Sequence, residues 1–471
     1  MRHGLKLPLS VAAMHNSLVT TASRVPQVMP REVVMSSISV AVSDLLSPRM
    51  AEIMRVLPAT ELRNKMRRPA VPHAAELRKA DPETKIQALS SFSGAYLPLT
   101  ETLTFTSQVL AKIREVYRAK QFGCEEFRRY FHATAEVLHG ERLRPLPACL
   151  SSITDTGFWL TGPSLMGRTA ALRRLVEILG RPFLVEGEHP APRCMWVMPV
   201  LYLTYPTCGT LRGMLRDMRE RVLSVVGGYD TDINALSEIE GGNGENVAIA
   251  ICTLLNVGLV VLDGGGFANV NGHTAAILQF LLKLRQHTGI PVLISGTSAF
   301  MYCTSFMGTT ASNLVNGPGL HLDPIPKPAP LVDGVVPKAR GVWRQVVTWL
   351  WQEGVLPEHC EMPAALPEWV YGVTFGRFGW LVQGFRALHV TLVTTPEMQQ
   401  PDRLTEDAVR QIFERALQLH TGARSAIART QEVVSGKGKL AVLKNLDHLP
   451  AALFEKPQVH EWLDEAILSR I

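Results

Sequence analysis

The sequence of 471 residues contains no C-x-x-C pair, and its seven cysteines, Cys124, Cys149, Cys194, Cys208, Cys252, Cys303 and Cys360, have no histidine nearby at ligand spacing. A disulfide scaffold is excluded, and a reduced, cytoplasmic setting without structural zinc is the expectation. No long hydrophobic run is present either. The longest strongly apolar stretch, Val247 to Leu262, is interrupted by Asn256 and Gly258 and falls short of the ~20 residues a membrane helix needs. Acid is absent before Glu32, where Arg2, Lys6, Arg24 and Arg31 give a faint transit-peptide character. A flexible tail over residues 1–45, or a true start at Met29 or Met35, is expected instead. Charged residues make up 19% and aromatics 7%, but 46% of the chain is hydrophobic, enough to build two or three cores and to exclude wholesale disorder.

What is present is unevenly distributed. The net charge of +6 comes from residues 1–150, which hold 21 Lys and Arg against 13 Asp and Glu, while the remainder is nearly balanced. That surplus permits an acidic partner such as nucleic acid, although a soluble helical surface has the same signature. Apolar residues at spacings of three and four, Leu45, Met50, Ile53, Met54 and Leu57, then Leu103, Val109, Leu110 and Ile113, predict an N-terminal helical region over 46–150. After Pro147 the pattern changes. Short apolar runs at 157–160, 195–203, 257–262 and 291–294 alternate with amphipathic stretches at 169–179, 211–226 and 274–287, the signature of a parallel sheet with crossover helices. The organisation read from this is an α/β core at 151–322 and, after the prolines at 324, 326, 328, 330 and 337, a helical lid at 323–420. A C-terminal helical tail at 421–471 follows. Trp343, Trp349, Trp351, Trp369 and Trp380 are expected in the lid core and not as stacking platforms.

The chemistry concentrates at the ends of the runs. Gly162-Pro163-Ser164-Leu165-Met166-Gly167-Arg168-Thr169 follows an apolar run and opens a helix with Ala170. Glycines there let backbone N–H groups wrap phosphate oxygens, the helix N-terminus adds positive potential, and a threonine can hold Mg2+. Arg168 stands where such loops carry lysine, and it keeps the charge on a bulkier planar fork. The run at 258–262 ends in Asp263, placed to hold the metal's shell together with Thr169; the alternative is a carboxylate that caps the next turn. The following position, where a glutamate would orient the attacking water, is Gly264. Gly264-x-Gly266-x-x-Asn269 makes a poor dinucleotide loop, lacking the third glycine and a following helix. Thr297, after the run at 291–294, is a candidate for reading a γ-phosphate, or else an ordinary turn residue. No charged residue occurs between Gln286 and Leu322, so no arginine finger lies there.

The order of these landmarks resembles the AAA+ regulators of transposition, the TnsC/TniB group, and MuB more distantly. The matching text runs from Ile113-Arg114 and Tyr117 through the Gly162 loop, Tyr202-Leu203, Cys208-Gly209-Thr210, Val260 to Asp263, Ala276 to Leu284 and Thr288 to Val292. It continues through Gly296-Thr297, Trp343 to Trp351, Tyr371 and Phe378 to Leu388, about residues 90 to 415. The resemblance implies a three-layer αβα AAA+ core with a helical lid, binding ATP and Mg2+ as a switch. It also implies a ring or filament on double-stranded DNA that links a target-selector protein to the transposase. DNA contact maps onto Thr210, Arg212, Arg216 and Arg219, which alternate with Asp217 and Glu220 as a solvated helix face also does. Arg168 and Gly264 depart from the family pattern, so hydrolysis is expected to be weak or absent. Two other readings stand beside this one. The first is a competent P-loop NTPase switch of defence or signalling, with Glu177 or Asp232 as base; the second is a catalytically dead interaction subunit of a mixed ring.

Overall fold

Alternation along one strand sets the architecture. In β1 (Gly157–Thr161) Phe158 and Leu160 enter one apolar cluster and Trp159 the other, the period of two that a sheet buried on both faces imposes. The computed structural model describes residues 47–120, 124–151, 156–186, 194–226, 236, 238–305, 308–330, 341–400, 402–429 and 439–468. The expected tail at 1–45, Pro337 and Asp232 lie outside the described residues.

The remaining strands are β2 (Phe183–Glu186), β3 (Cys194–Val197), β4 (Leu201–Thr204), β5 (Val260–Gly265), β6 (Val292–Gly296) and β7 (Gly319–His321). Five of them form one parallel sheet in the order β4-β5-β6-β1-β7, and β2 pairs antiparallel with β3 outside it. One sequence expectation is corrected here, and one strand is added. The apolar run at 195–203 is not one strand but two: Pro199, with no N–H to give a ladder, separates β3 in the hairpin from β4 in the sheet. The edge strand β7 is three residues long and has no apolar run to announce it. Its approach is fixed by buried Arg285, which donates to Leu314 O (3.0 Å), Asn313 O (2.7 Å) and Asn316 Oδ1 (2.9 Å).

Helices precede and cover the sheet: α1 (Pro48–Met54), α2 (Ala59–Met66), α3 (Thr100–Ala119) and α4 (Glu125–Ala135), then α5 (Arg168–Leu179), α6 (Leu211–Val226), α7 (Gly244–Leu254), α8 (Thr274–Thr288) and α9 (Ser298–Ser305). The three crossover helices expected at 169–179, 211–226 and 274–287 are all present within a residue. α6 starts where the Thr210 hydroxyl accepts from Gly213 N (3.2 Å), and it buries Met214, Leu215, Met218 and Val222 at helical spacing. The lid follows as α10 (Val342–Gln352), α11 (Leu366–Thr374), α12 (Phe378–Thr394) and α13 (Glu406–Ala416), and the chain closes with α14 (Pro457–Leu468). Trp343 and Trp380 are fully enclosed and Trp349 and Trp351 nearly so, so these four are core, while Trp369 is half-buried and packs against it.

The two clusters divide the molecule along the sheet. One face, with Phe158, Val261 and Leu293, packs against the N-terminal helices and the lid. The other, with Leu203, Leu262 and Ile294, packs against α6, α7 and α8 and also against Leu446, Leu449, Leu453, Phe454 and Val459 from the C-terminal segment. That segment is therefore part of the core, not an appendage. No described helix is long and apolar enough to cross a membrane.

Candidate functional site

The loop between β1 and α5 is bent by left-handed backbone at Gly162 (φ 145°), Leu165 (φ 70°) and Gly167 (φ 93°). Gly162 is required twice over, since a Cβ there would also lie 2.4 Å from Leu322 O. Leu165 carries a side chain in the same region, a conformation costing roughly 1–2 kcal/mol in an L-residue. It is held by the lid: Leu165 O accepts from Gly379 N at 2.8 Å.

Arg168, the first residue of α5, has a buried guanidinium Nη1 with no hydrogen-bond partner among the described residues. Burial pulls its pKa down, and Asp263 and Asp447 pull it back up. A buried cationic donor without a partner at the mouth of a glycine loop fits an anionic ligand. Thr169 beside it is exposed on the first turn, and Ala170 follows at its flank. Asp263, only 3% exposed, sits in the second half of β5, two residues before its end, and accepts from the Tyr202 hydroxyl at 2.6 Å. Burial first, and the carboxylate second, push that phenol well above its usual range, so it stays protonated and a donor. One Asp263 oxygen is thus engaged inside the protein.

Gly264 has φ 93°, and the pairing of β5 with β6 shifts register between Leu262 and Gly265. The missing glutamate is accordingly more than a missing side chain: the backbone itself has taken a course that favours glycine. Thr297 is buried after β6. Its amide donates to Gly265 O (2.8 Å), its hydroxyl oxygen accepts from Phe300 N (3.1 Å), and its hydroxyl proton goes to Asp447 Oδ1. Thr297 therefore caps α9 and also faces the loop region. The structure gathers the 162–169 loop, Asp263 and Thr297 at one end of the parallel sheet, where open α/β sheets bind ligands. Glu177, on α5, instead pairs with Arg174 of the same helix and with Arg68 of the N-terminal region, which places it in a surface ion pair and not at a reacting centre.

Two residues at this site carry no sequence signal strong enough to have been singled out. Arg377, 1% exposed at the start of α12, donates to Ser164 O (3.1 Å) and to His448 O, and lies over the Trp380 ring at 5.0 Å. Burial draws it down to about 10. The flanking Gly376 and Gly379 ahead of an amphipathic run were the available clue. Asp447, in the C-terminal segment, had none. Beside the loop lies a cavity of about 540 Å3 lined by Leu97, Leu99, Leu322, Ile325, Val342 and Val346, among others. It adjoins the loop through Leu322, whose amide donates to Thr161 O (2.8 Å).

The four residues suggested for DNA contact lie together at the start of α6 but are not equally available. Thr210 caps the helix; Arg216 and Arg219 pair with Glu240 (3.5 and 3.1 Å); Arg212 is exposed and in no ion pair among the described residues. Cysteines 25 positions apart also converge. Cys124 Sγ, Cys149 Sγ and a Glu126 oxygen lie within 4.8 Å of one another, a grouping hidden by the linear spacing. Burial, and behind it the Cys124 thiol, push Cys149 up to about 12.

The glycine loop, the five-stranded parallel sheet and the flanking helices define an α/β P-loop core between an N-terminal helical region and a helical lid. No protein-family model matches the chain, and no curated protein sequence matches it. Among solved structures, a Walker-type ATPase of Pyrococcus abyssi is similar over 68% of this chain and 86% of its own, at 13% identity and a TM-score of 0.35. At that level nothing about site or activity transfers.

Proposed function

We propose that this chain is a nucleotide-binding P-loop protein of the AAA+ type whose working event is occupancy of the site and not turnover. We further propose that it serves in the cytoplasm as a DNA-binding adaptor of transposition, linking a target selector to the transposase. The observation that carries the nucleotide reading is the buried Arg168 Nη1, without a hydrogen-bond partner among the described residues, beside the Gly162 loop. Phosphates would be held by the loop amides from Pro163's successor Ser164 to Thr169, by Arg168 and by the α5 N-terminus. Mg2+ would be held by the Thr169 hydroxyl and Asp263, where it would neutralise phosphate charge. The cavity next to the loop, whose leucine, isoleucine and valine side chains stand among the polar groups of Arg63, Glu101, His321, Asp323 and Gln345, could seat a nucleobase. Gly264 leaves no carboxylate to orient water, which supports slow hydrolysis.

The adaptor role rests on the order of landmarks set out above, on the basic N-terminal third and on exposed Arg212. Self-association into a ring or filament belongs to the same reading. Fluorescence anisotropy of a labelled duplex, titrated at low and moderate salt without nucleotide, with ADP and with ATP, tests it. Tight, salt-sensitive binding that requires ATP is the expected result. No binding under any nucleotide condition at low salt defeats the adaptor role. Binding indifferent to nucleotide favours a dead interaction subunit, a reading that Gly264 independently supports.

A further inference from the structure

The donors that a triphosphate would use are already bonded to the protein's own C-terminal segment. Asp447 O accepts from the loop amide Ser164 N at 2.7 Å. Its carboxylate Oδ1 accepts from Phe267 N at 2.8 Å and from the Thr297 hydroxyl. A hydroxyl has one proton to give, so Thr297 cannot donate to a phosphate while Asp447 holds it. Asp447 is also an anion that Arg168 feels, alongside Asp263.

The segment is held in this position from two sides. On the core side Leu446, Leu449, Leu453 and Phe454 are buried, and Phe454 stacks on Tyr302 of α9 at 6.1 Å. On the lid side His448 stacks on Trp380 at 6.2 Å, and its carbonyl takes a bond from Arg377, the same guanidinium that holds Ser164 O. One lid arginine therefore clasps the phosphate loop and the segment together, so lid movement and release of the segment are mechanically joined.

We infer that residues 445–449 are an internal ligand of the nucleotide site, with the Asp447 carboxylate occupying the place of a terminal phosphate, and that they must leave before a nucleoside triphosphate can bind productively. The inference rests on the nucleotide-binding reading. The site is then regulated by competition between an intramolecular carboxylate and an incoming polyanion. A partner that draws the C-terminal segment away would license the site.

The test uses the full chain with Asp447→Ala and with Asp447→Asn, which keeps the shape and an acceptor oxygen but drops the charge. Thermal melts establish that both variants are folded, and a fluorescent N-methylanthraniloyl ATP with Mg2+ is the probe. The expected result is binding at least tenfold tighter in Asp447→Ala than in the parent, with Asp447→Asn between them. In parallel, saturating ATP should accelerate hydrogen exchange across residues 442–456 of the parent chain. Equal, measurable affinity in all three proteins, with exchange unchanged, overturns the internal-ligand inference and leaves nucleotide binding standing. Binding by none of the three overturns both, and the two failures are thereby distinguished.

Discussion

The ends of β1 and β5 face the same site but have kept different things. At the end of β1 the binding elements are mostly backbone: a chain bent through Gly162, Leu165 and Gly167 into the N-terminus of α5, with one side-chain cation in Arg168. At the end of β5 the chemistry depends on side chains, and there Gly264 stands where a carboxylate would act while Tyr202 occupies one Asp263 oxygen. Anion binding written in backbone geometry survives most substitutions, because every residue but proline supplies an N–H wherever the dihedral angles and the space for a Cβ allow it. Hydrolysis needs a particular carboxylate at a particular place and is lost with it. On the proposed nucleotide-binding reading, this contrast favours occupancy of the site over turnover.

The strongest way to break the β1 side is to remove what supports it. Trp380 is fully buried between the lid and the C-terminal segment, under Arg377 and beside His448. Trp380→Ala should cost about 3–5 kcal/mol in stability, read as a lower denaturant midpoint, and should loosen the Ser164 clasp with it. An unchanged midpoint would detach the lid from the loop and undo the argument. A pH titration probes the same lid next. His389 is buried among Phe92, Trp351 and Phe385, and burial lowers its pKa to about 4 from the usual 6.5. The unfolded chain therefore binds this proton more readily. The stability from a neutral His389 is present in full above pH 6.5 and is lost as pH falls from 6.5 toward 4, by up to about 1.4 kcal/mol per pH unit. Denaturation midpoints between pH 7 and 5 should fall in the parent and fall less steeply in His389→Leu.

Arg168 tests the one side-chain contribution on the β1 side. Arg168→Ala should weaken nucleotide binding by about 10- to 100-fold, the loss of a charged hydrogen bond worth about 1.5–3 kcal/mol. Arg168→Lys, measured by the same fluorescent-nucleotide titration, should stay within a few-fold of the parent. Equal affinity in all three would mean that the backbone binds unaided.

Much of this was legible in the linear text, for identifiable reasons. The strands at 157, 260 and 292 and the helices at 168, 211 and 274 carry strong periodicities, and the phosphate loop carries its glycines in order. The break at Pro199 lies between apolar residues on both sides, so in the linear text β3 and β4 look like one strand. β7 is too short to show a period. Arg377 and Asp447 act on Ser164 from more than two hundred residues away along the chain, through lid and tail packing, and no local pattern encodes that meeting. Of the four suggested DNA contacts, ion pairing of Arg216 and Arg219 with Glu240 depends on a residue that only folding brings near.

The β5 side can be sharpened by restoring the absent carboxylate. Gly264→Glu meets open space, since nothing lies within 4 Å of a Cβ at that position, so there is no clash to unfold the protein. The backbone at φ 93° is another matter: it charges an L-residue about 1–2 kcal/mol, and a register shift sits beside it. The variant should therefore lose a small amount of stability by denaturant melt and release phosphate from ATP at less than twice the parent rate. If turnover instead rose many-fold, the end of β5 would lack only a side chain, and the contrast between the two strand ends would reduce to one substitution. If turnover stays flat, the loss is built into the course of the chain, and no single residue at position 264 returns the site to hydrolysis.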